Sequence, residues 1–139
     1  PRLQHDRGPL TAGVALPGGD YDVVGKYDLL LMVMAAYTFL SDVWAARLIR
    51  AYGTEVMDML GDAKSAAELG ADFGHTITEQ ELAWSVQHEW TRSAQDYLWR
   101  RTKLGLRVSP DEEQQIEAFI AGQISAGVTP AEPKTRELT

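Results

Sequence analysis

Three helix-start signatures crowd the second half of this chain, at Thr78, Ser93 and Ser109, and they leave room only for short helices between them. In "ITEQEL", Thr78 and Glu81 have the spacing of a capping box, with Ile77 and Leu82 at the two positions of a hydrophobic staple. A helix is therefore predicted to start at Glu79, carrying Leu82, Val86 and Trp90 along one stripe. "SAQD", Ser93 to Asp96, is a variant box with Asp in place of Glu, and the helix it starts runs towards Gly105. "SPDE", Ser109 to Glu112, places Pro110 at the first helical position, where its missing N–H costs nothing. Ile116, Phe119, Ile120 and Ile124 follow as the buried stripe of that last helix.

The first half is punctuated in the same way. A helix is expected from Lys26 to Ala36, and Ser41-Asp42 offers the start of a second, with Val43, Trp44, Leu48 and Tyr52 at helical spacing. Gly53 can end that helix, Thr54 can cap a third through Leu60, and Gly61 can close it. "DAKSAAELGADFGH" holds one more helical turn at most. No convincing alternating strand pattern and no repeat interrupts this reading. The expected fold is an all-α compact bundle of five or six short helices with disordered termini. Residues 1–24, rich in Gly and Pro, read as a linker or arm from upstream domains, residues 25–126 as the helical domain, and residues 127–139 as a disordered tail.

With 139 residues and 45% apolar content, the chain can bury one core and no more. The formal net charge of −7 argues against a general nucleic-acid binder, whose affinity rests on many contacts from Lys and Arg to phosphates. Without cysteine there is neither disulfide nor thiolate chemistry. The most apolar run, "LLLMVMAAY" from Leu29 to Tyr37, is far short of the ~20 residues of a membrane span and reads as a core helix. The chain opens at Pro1 rather than at methionine, without a signal-peptide pattern, which points to a piece of a longer protein.

Candidate chemistry is sparse. His88-Glu89 begins like a zinc-protease helix, but the second His of that motif would fall on Arg92. His5, His75 and His88 are scattered, and His75 reads as a partner for a loop carbonyl. No P-loop, GxGxxG fingerprint or nucleophile elbow occurs. Asp111, Glu112 and Glu113 sit in the first turn of a helix, where they meet its dipole favourably. No catalytic or metal-binding residue is assigned.

The cations are the exception. Residues 92–107 hold five of them, Arg92, Arg100, Arg101, Lys103 and Arg107, against one acid, Asp96. At about 100° per residue, Arg100, Lys103 and Arg107 share one side of the predicted helix, with Asp96 at the (i, i+4) position to Arg100. That side either finishes the helix or faces an anionic surface. Arg101 falls among Ala94, Tyr97, Leu98 and Leu104, so it is expected to be buried and paired, with Asp72, Glu81, Glu89 and Asp96 as the candidate acids. Arg100, Arg101, Lys103, Arg107, His88 and Glu89 are thus the structural or interdomain candidates.

"LGADFGHTITEQELAWSVQHEWTRSAQDYLWRRTKLGLRVS", Leu69 to Ser109, closely resembles the C-terminal helical domain of FAD-dependent, respiratory-type glycerol-3-phosphate dehydrogenases. The sharpest signatures are Phe73-Gly74-His75, His88-Glu89-Trp90 and Leu98 to Leu106, and the resemblance extends back through "YTFLSDVWAARLIRAYGTEVMDMLGDAKSAAELG" to "LPGGD". It departs where Thr38 replaces the Pro of a "YPFL"-like turn, and in the apolar helix before it, which points Leu29 to Met34 at another domain or subunit. The resemblance implies a parent enzyme that oxidises sn-glycerol 3-phosphate to dihydroxyacetone phosphate and passes electrons through FAD to quinone. It places the flavin and substrate residues upstream, so the fragment itself would hold no cofactor and be inactive. The implied partners are the parent's own FAD and substrate domains, with no nucleic acid. A homodimer and a cytoplasmic parent peripheral to the inner membrane fit the same resemblance. The competing reading is a free-standing helical module that binds nucleic acid or another anionic partner through Arg92, Arg100, Lys103 and Arg107.

Overall fold

The computed structural model describes residue 16, residues 18–21 and residues 25–128. Most of the proposed arm and tail therefore lies outside the described residues. Among these residues five α-helices run in chain order: α1 (Lys26–Ala36), α2 (Asp42–Tyr52), α3 (Glu55–Leu60), α4 (Glu79–His88) and α5 (Pro110–Ser125). Between them stand two 3₁₀ turns, Ala66–Leu69 and Leu104–Leu106, and a π-helical segment, Asp96–Arg101. One isolated antiparallel bridge, Asp72 with Thr78, is the only extended pairing among the described residues. The all-α expectation holds.

Apolar residues form two clusters. The first gathers Leu29 and Val33 of α1, Leu48, Ile49 and Tyr52 of α2, and Val56 and Met59 of α3. The second gathers Leu82 and Val86 of α4, Tyr97 and Leu98 of the π segment, and Ile116 and Ile120 of α5. α1 is apolar around its whole circumference, so its inward pair Leu29 and Val33 leaves Leu31 and Met32 about half exposed, at 50% and 57%. None of the helices among the described residues is long and apolar enough to cross a membrane.

The helix ends follow their local chemistry, with three departures. Ser109 and Glu112 form a reciprocal capping box with Pro110 beside it, and Ser41 Oγ accepts a hydrogen bond from the Trp44 N–H. Thr54 makes no side-chain cap, because its backbone is already helical and its N–H donates to the Gly18 carbonyl at 3.1 Å. Thr78 and Glu81 form no capping box either. The first N–H of α4, from Glu79, donates instead to the Ala71 carbonyl at 2.9 Å, and the Glu79 carboxylate accepts from the Ala71 N–H. The backbone of the preceding turn thereby satisfies one of the free N–H groups at the start of α4, though not the one a Thr78 cap would have taken. Val43 and Trp90, assigned to buried stripes, are 76% and 66% exposed, and Trp90 lies beyond the end of α4 with φ at 59°.

Candidate functional site

Freed from capping, Glu81 turns inward. It is 1% exposed and lies where the two apolar clusters meet. Arg47 of α2 donates to both carboxylate oxygens, at 2.8 and 2.6 Å, and the Tyr52 and Tyr97 hydroxyls donate at 2.9 and 2.7 Å. Such a carboxylate is tolerable inside a protein only because it is paired and hydrogen-bonded, with three bonds to Oε1 and one to Oε2. Burial works against the charge on Arg47, but the hydrogen bonds and charge of Glu81 more than offset it and hold the guanidinium above its ordinary value. Both tyrosines are pushed well above the ordinary tyrosine range, first by burial and then by the Glu81 charge. The remaining donors of Arg47 reach Thr76, at Oγ1 (2.8 Å) and at the carbonyl (2.7 Å). They clamp the turn in which His75 and Thr76 both take positive φ, a costly conformation for a β-branched residue. This network is structural: Arg47 and Tyr52 of α2 and Tyr97 of the π segment together give one acid four hydrogen bonds.

The basic stretch has its own geometry. Asp96–Arg101 winds as a π-helix, with the Thr102 N–H donating to the Tyr97 carbonyl at 3.0 Å across five residues. Wider winding changes the face on which each residue falls, so the 100° projection fails here. Arg101 is consequently not buried: its side chain is 34% exposed. It is paired, however, with Glu89 at 3.3 Å, one of the four candidate acids. Burial raises the Glu89 carboxyl above the usual range, and the Arg101 charge offsets only part of that. Arg100 meets Asp96 at 3.0 Å with its side chain 75% exposed, as the (i, i+4) spacing predicts. The helix stops at Arg101, not at Gly105. Lys103 takes the left-handed conformation just beyond the end, and its Nζ donates to the Trp99 carbonyl, a cation on the last turn of a helix. Arg107 is exposed beyond a separate 3₁₀ turn, so it does not share one helical face with Arg100. His88 stacks on Trp84 with ring centroids 3.7 Å apart and lies away from any metal-like cluster. Among the described residues, no group of three or more His, Asp and Glu is placed to hold a metal ion.

Arg100, Arg101, Thr102 and Glu89 border an open cleft of about 270 Å³, whose other wall is Ala51 and Tyr52 at the end of α2. Beside that wall, Gly18 packs directly on Gly53. A Cβ on Gly53 would stand 1.7 Å from the Gly18 carbonyl oxygen, and one on Gly18 would stand 2.3 Å from the Tyr52 carbonyl oxygen. Only two glycines permit so close a backbone approach.

The sequence thus indicated the Arg100–Asp96 pair and a carboxylate beside Arg101 without choosing Glu89 among its four candidates, and it did not directly indicate Arg47, Tyr52 and Tyr97 as partners of Glu81. A signal was present. Arg47 interrupts the apolar stripe of α2 between Trp44 and Leu48, and a cation in that position needs an acid within reach.

Residues 9–121 match the family described as the C-terminal domain of alpha-glycerophosphate oxidase. The aerobic glycerol-3-phosphate dehydrogenase of Escherichia coli (strain K12) is 37% identical over 110 residues, covering 79% of this chain and 22% of that protein. A glycerol-3-phosphate dehydrogenase of Pseudomonas aeruginosa is 33% identical over 113 residues, covering 81% of this chain and 22% of its own length. The D-erythritol 1-phosphate dehydrogenase of Brucella abortus is 29% identical over 113 residues, with the same coverage of 81% and 22%. The chain therefore spans 22% of the length of each of these relatives.

Proposed function

We infer the function from one premise: the chain belongs to the family of C-terminal domains of alpha-glycerophosphate oxidase. It serves as the non-catalytic accessory domain of a longer, flavin-dependent dehydrogenase that oxidises a polyol phosphate. The substrate is sn-glycerol 3-phosphate, converted to dihydroxyacetone phosphate, because the relatives named for it stand at 37% and 33% identity against 29% for the erythritol phosphate enzyme. FAD is bound by the parent's upstream domains, and electrons leave for quinone. The single observation that carries this reading is the family match across residues 9–121.

The domain packs on its own upstream FAD and substrate domains, and the half-exposed Leu31 and Met32 of α1 give such packing an apolar surface. The parent is cytoplasmic and peripheral to the inner membrane. The family match favours this role over a free-standing module for nucleic acid. To test it, the purified chain and the intact enzyme are compared for flavin absorbance and for glycerol 3-phosphate oxidation. The intact enzyme is expected to be yellow and active, and the chain colourless and inactive. Stoichiometric FAD on the chain alone would sink the assignment of roles.

A further inference from the structure

Helix α1 is covered on one side only. Leu29 and Val33 are buried in the first apolar cluster, while Tyr27, Leu31 and Met32 stand 68%, 50% and 57% exposed. At about 100° per residue, Tyr27, Leu31 and Ala35 form one outward ridge, flanked by Asp28, Met32 and Ala36, and all six are exposed. Asp28 is the one charge among them, and it sits in the first turn, where the helix dipole favours it. None of residues 29–41 is charged. Other helices present a different outer side: α2 exposes Asp42 and Arg50, α3 exposes Asp58, and α5 exposes Asp111 and Glu117. A helix that is apolar around its whole circumference belongs in an interior. The outward ridge of α1 is therefore one side of an interface.

The chemistry of the ridge narrows its partner. With Lys26 as its single cation and no polar side, α1 lacks the cationic face by which a helix holds a layer of lipid headgroups or a phosphate backbone. An uncharged apolar protein surface suits it instead. Such a surface comes either from a second copy or from the same polypeptide. The chain spans 22% of the length of its named relatives and belongs to a family of C-terminal domains, so most of the parent lies in the domains before it. The family match begins at residue 9 and α1 at Lys26, which makes α1 the first described helix after the join. A surface tethered through a short join is met at an effective concentration of about millimolar, whereas a second copy is met only at the concentration of the enzyme itself. The tethered surface covers the ridge first.

We propose that the outward ridge of α1, Tyr27, Leu31 and Ala35 with Met32 beside it, is the face on which the parent enzyme's preceding domains pack, and that they meet it with an uncharged apolar surface. This rests on the reading of the chain as an accessory domain and names where that domain is held. Leu29 and Val33 face inward, so the contact falls on Leu31 and Met32 rather than on the whole apolar run. The short side chains of Ala35 and Ala36 let the partner approach most closely at the C-terminal end of the helix.

The test is made on the intact enzyme. A photoreactive leucine analogue replaces Leu31, and the adducts are mapped by mass spectrometry. The expected adducts join position 31 to an apolar peptide of the preceding domains within one chain, and they persist at high salt because no charge pair holds the contact. Oxidative footprinting of the enzyme with its native sequence gives an independent reading. Met32 is expected to oxidise as slowly as Met59, which is 1% exposed. Adducts only to a second copy, only to lipid, or no adduct at all would overturn the proposal, and so would a Met32 that oxidises far faster than Met59. The footprint needs no substitution, so it decides even where the analogue disturbs folding. Flavin content and activity are measured on the same preparation. An enzyme that cross-links as expected but lacks flavin refutes the functional reading alone, whereas a flavin-loaded, active enzyme without the adduct refutes the docking face alone.

Discussion

Arg47 and Glu81, distant in sequence, meet through paired hydrogen bonds of 2.8 and 2.6 Å, and the carboxylate is 1% exposed. Removing one member leaves the other charged, buried and unanswered. Glu81→Ala is expected to cost about 3 to 5 kcal/mol of unfolding free energy. Glu81→Gln should cost less because its amide oxygen still accepts. Urea denaturation of the two variants beside the wild type checks the order, and a loss below 1 kcal/mol for Glu81→Ala would show that the pair contributes little.

Tyr52 and Tyr97 donate to the same oxygen of Glu81. Each Tyr→Phe change removes one hydrogen bond to a charged acceptor, worth about 1.5 to 3 kcal/mol. Because the acceptor is shared, the double variant should lose measurably less or more than the two single losses added. A double-mutant cycle reads that coupling directly, and strict additivity would contradict a common network.

Glu89 and Glu112 should respond to pH in opposite senses. Burial raises Glu89, so the folded state binds its proton more tightly than the unfolded state does. Its contribution is present below the ordinary carboxyl value and is lost as pH rises through the raised one. Glu112 is lowered by the hydrogen bond from the Ser109 N–H, then by the Ser109 hydroxyl, so its contribution is present above the ordinary value and is lost as pH falls. Relative to Glu89→Gln, the wild type should lose stability as pH rises, and relative to Glu112→Gln it should lose stability as pH falls. NMR titration of the two side-chain carboxyls, with thermal melts of both variants across the acidic range, tests the signs.

Gly53 has φ at 57° and faces the Gly18 carbonyl. Gly53→Ala should destabilise the domain by more than about 1 kcal/mol and unseat the Gly18 segment. Amide exchange at Thr54, whose N–H donates to the Gly18 carbonyl, reports the second effect. Unchanged protection at Thr54 would mean that the segment stays in place by other contacts.

Much of the architecture could be read from the sequence, because short helices announce themselves by caps and stripes. α1, α2 and α5 begin at Lys26, Asp42 and Pro110, the positions their local chemistry indicates. The errors share one physical origin. Capping and helical projection are local rules, and they fail where a distant partner outbids the local one. Glu81 has the right spacing to cap Thr78, but Arg47, Tyr52 and Tyr97 offer it four hydrogen bonds and the Ala71 carbonyl serves the helix end. Arg101 projects into the apolar stripe only if the helix is an α-helix, and the π winding from Asp96 moves it to the rim. The cleft itself could not be read, since Ala51 and Tyr52 belong to a helix far from Arg100 in sequence.

Half of the Glu81 network, Arg47 and Tyr52, stands on α2 in the first apolar cluster, and half, Glu81 and Tyr97, stands in the second. Neither cluster can loosen without stranding a charge or a hydroxyl in the wall of the other. The acid is thus expected to couple the melting of the two small cores, so that the domain unfolds in a single step.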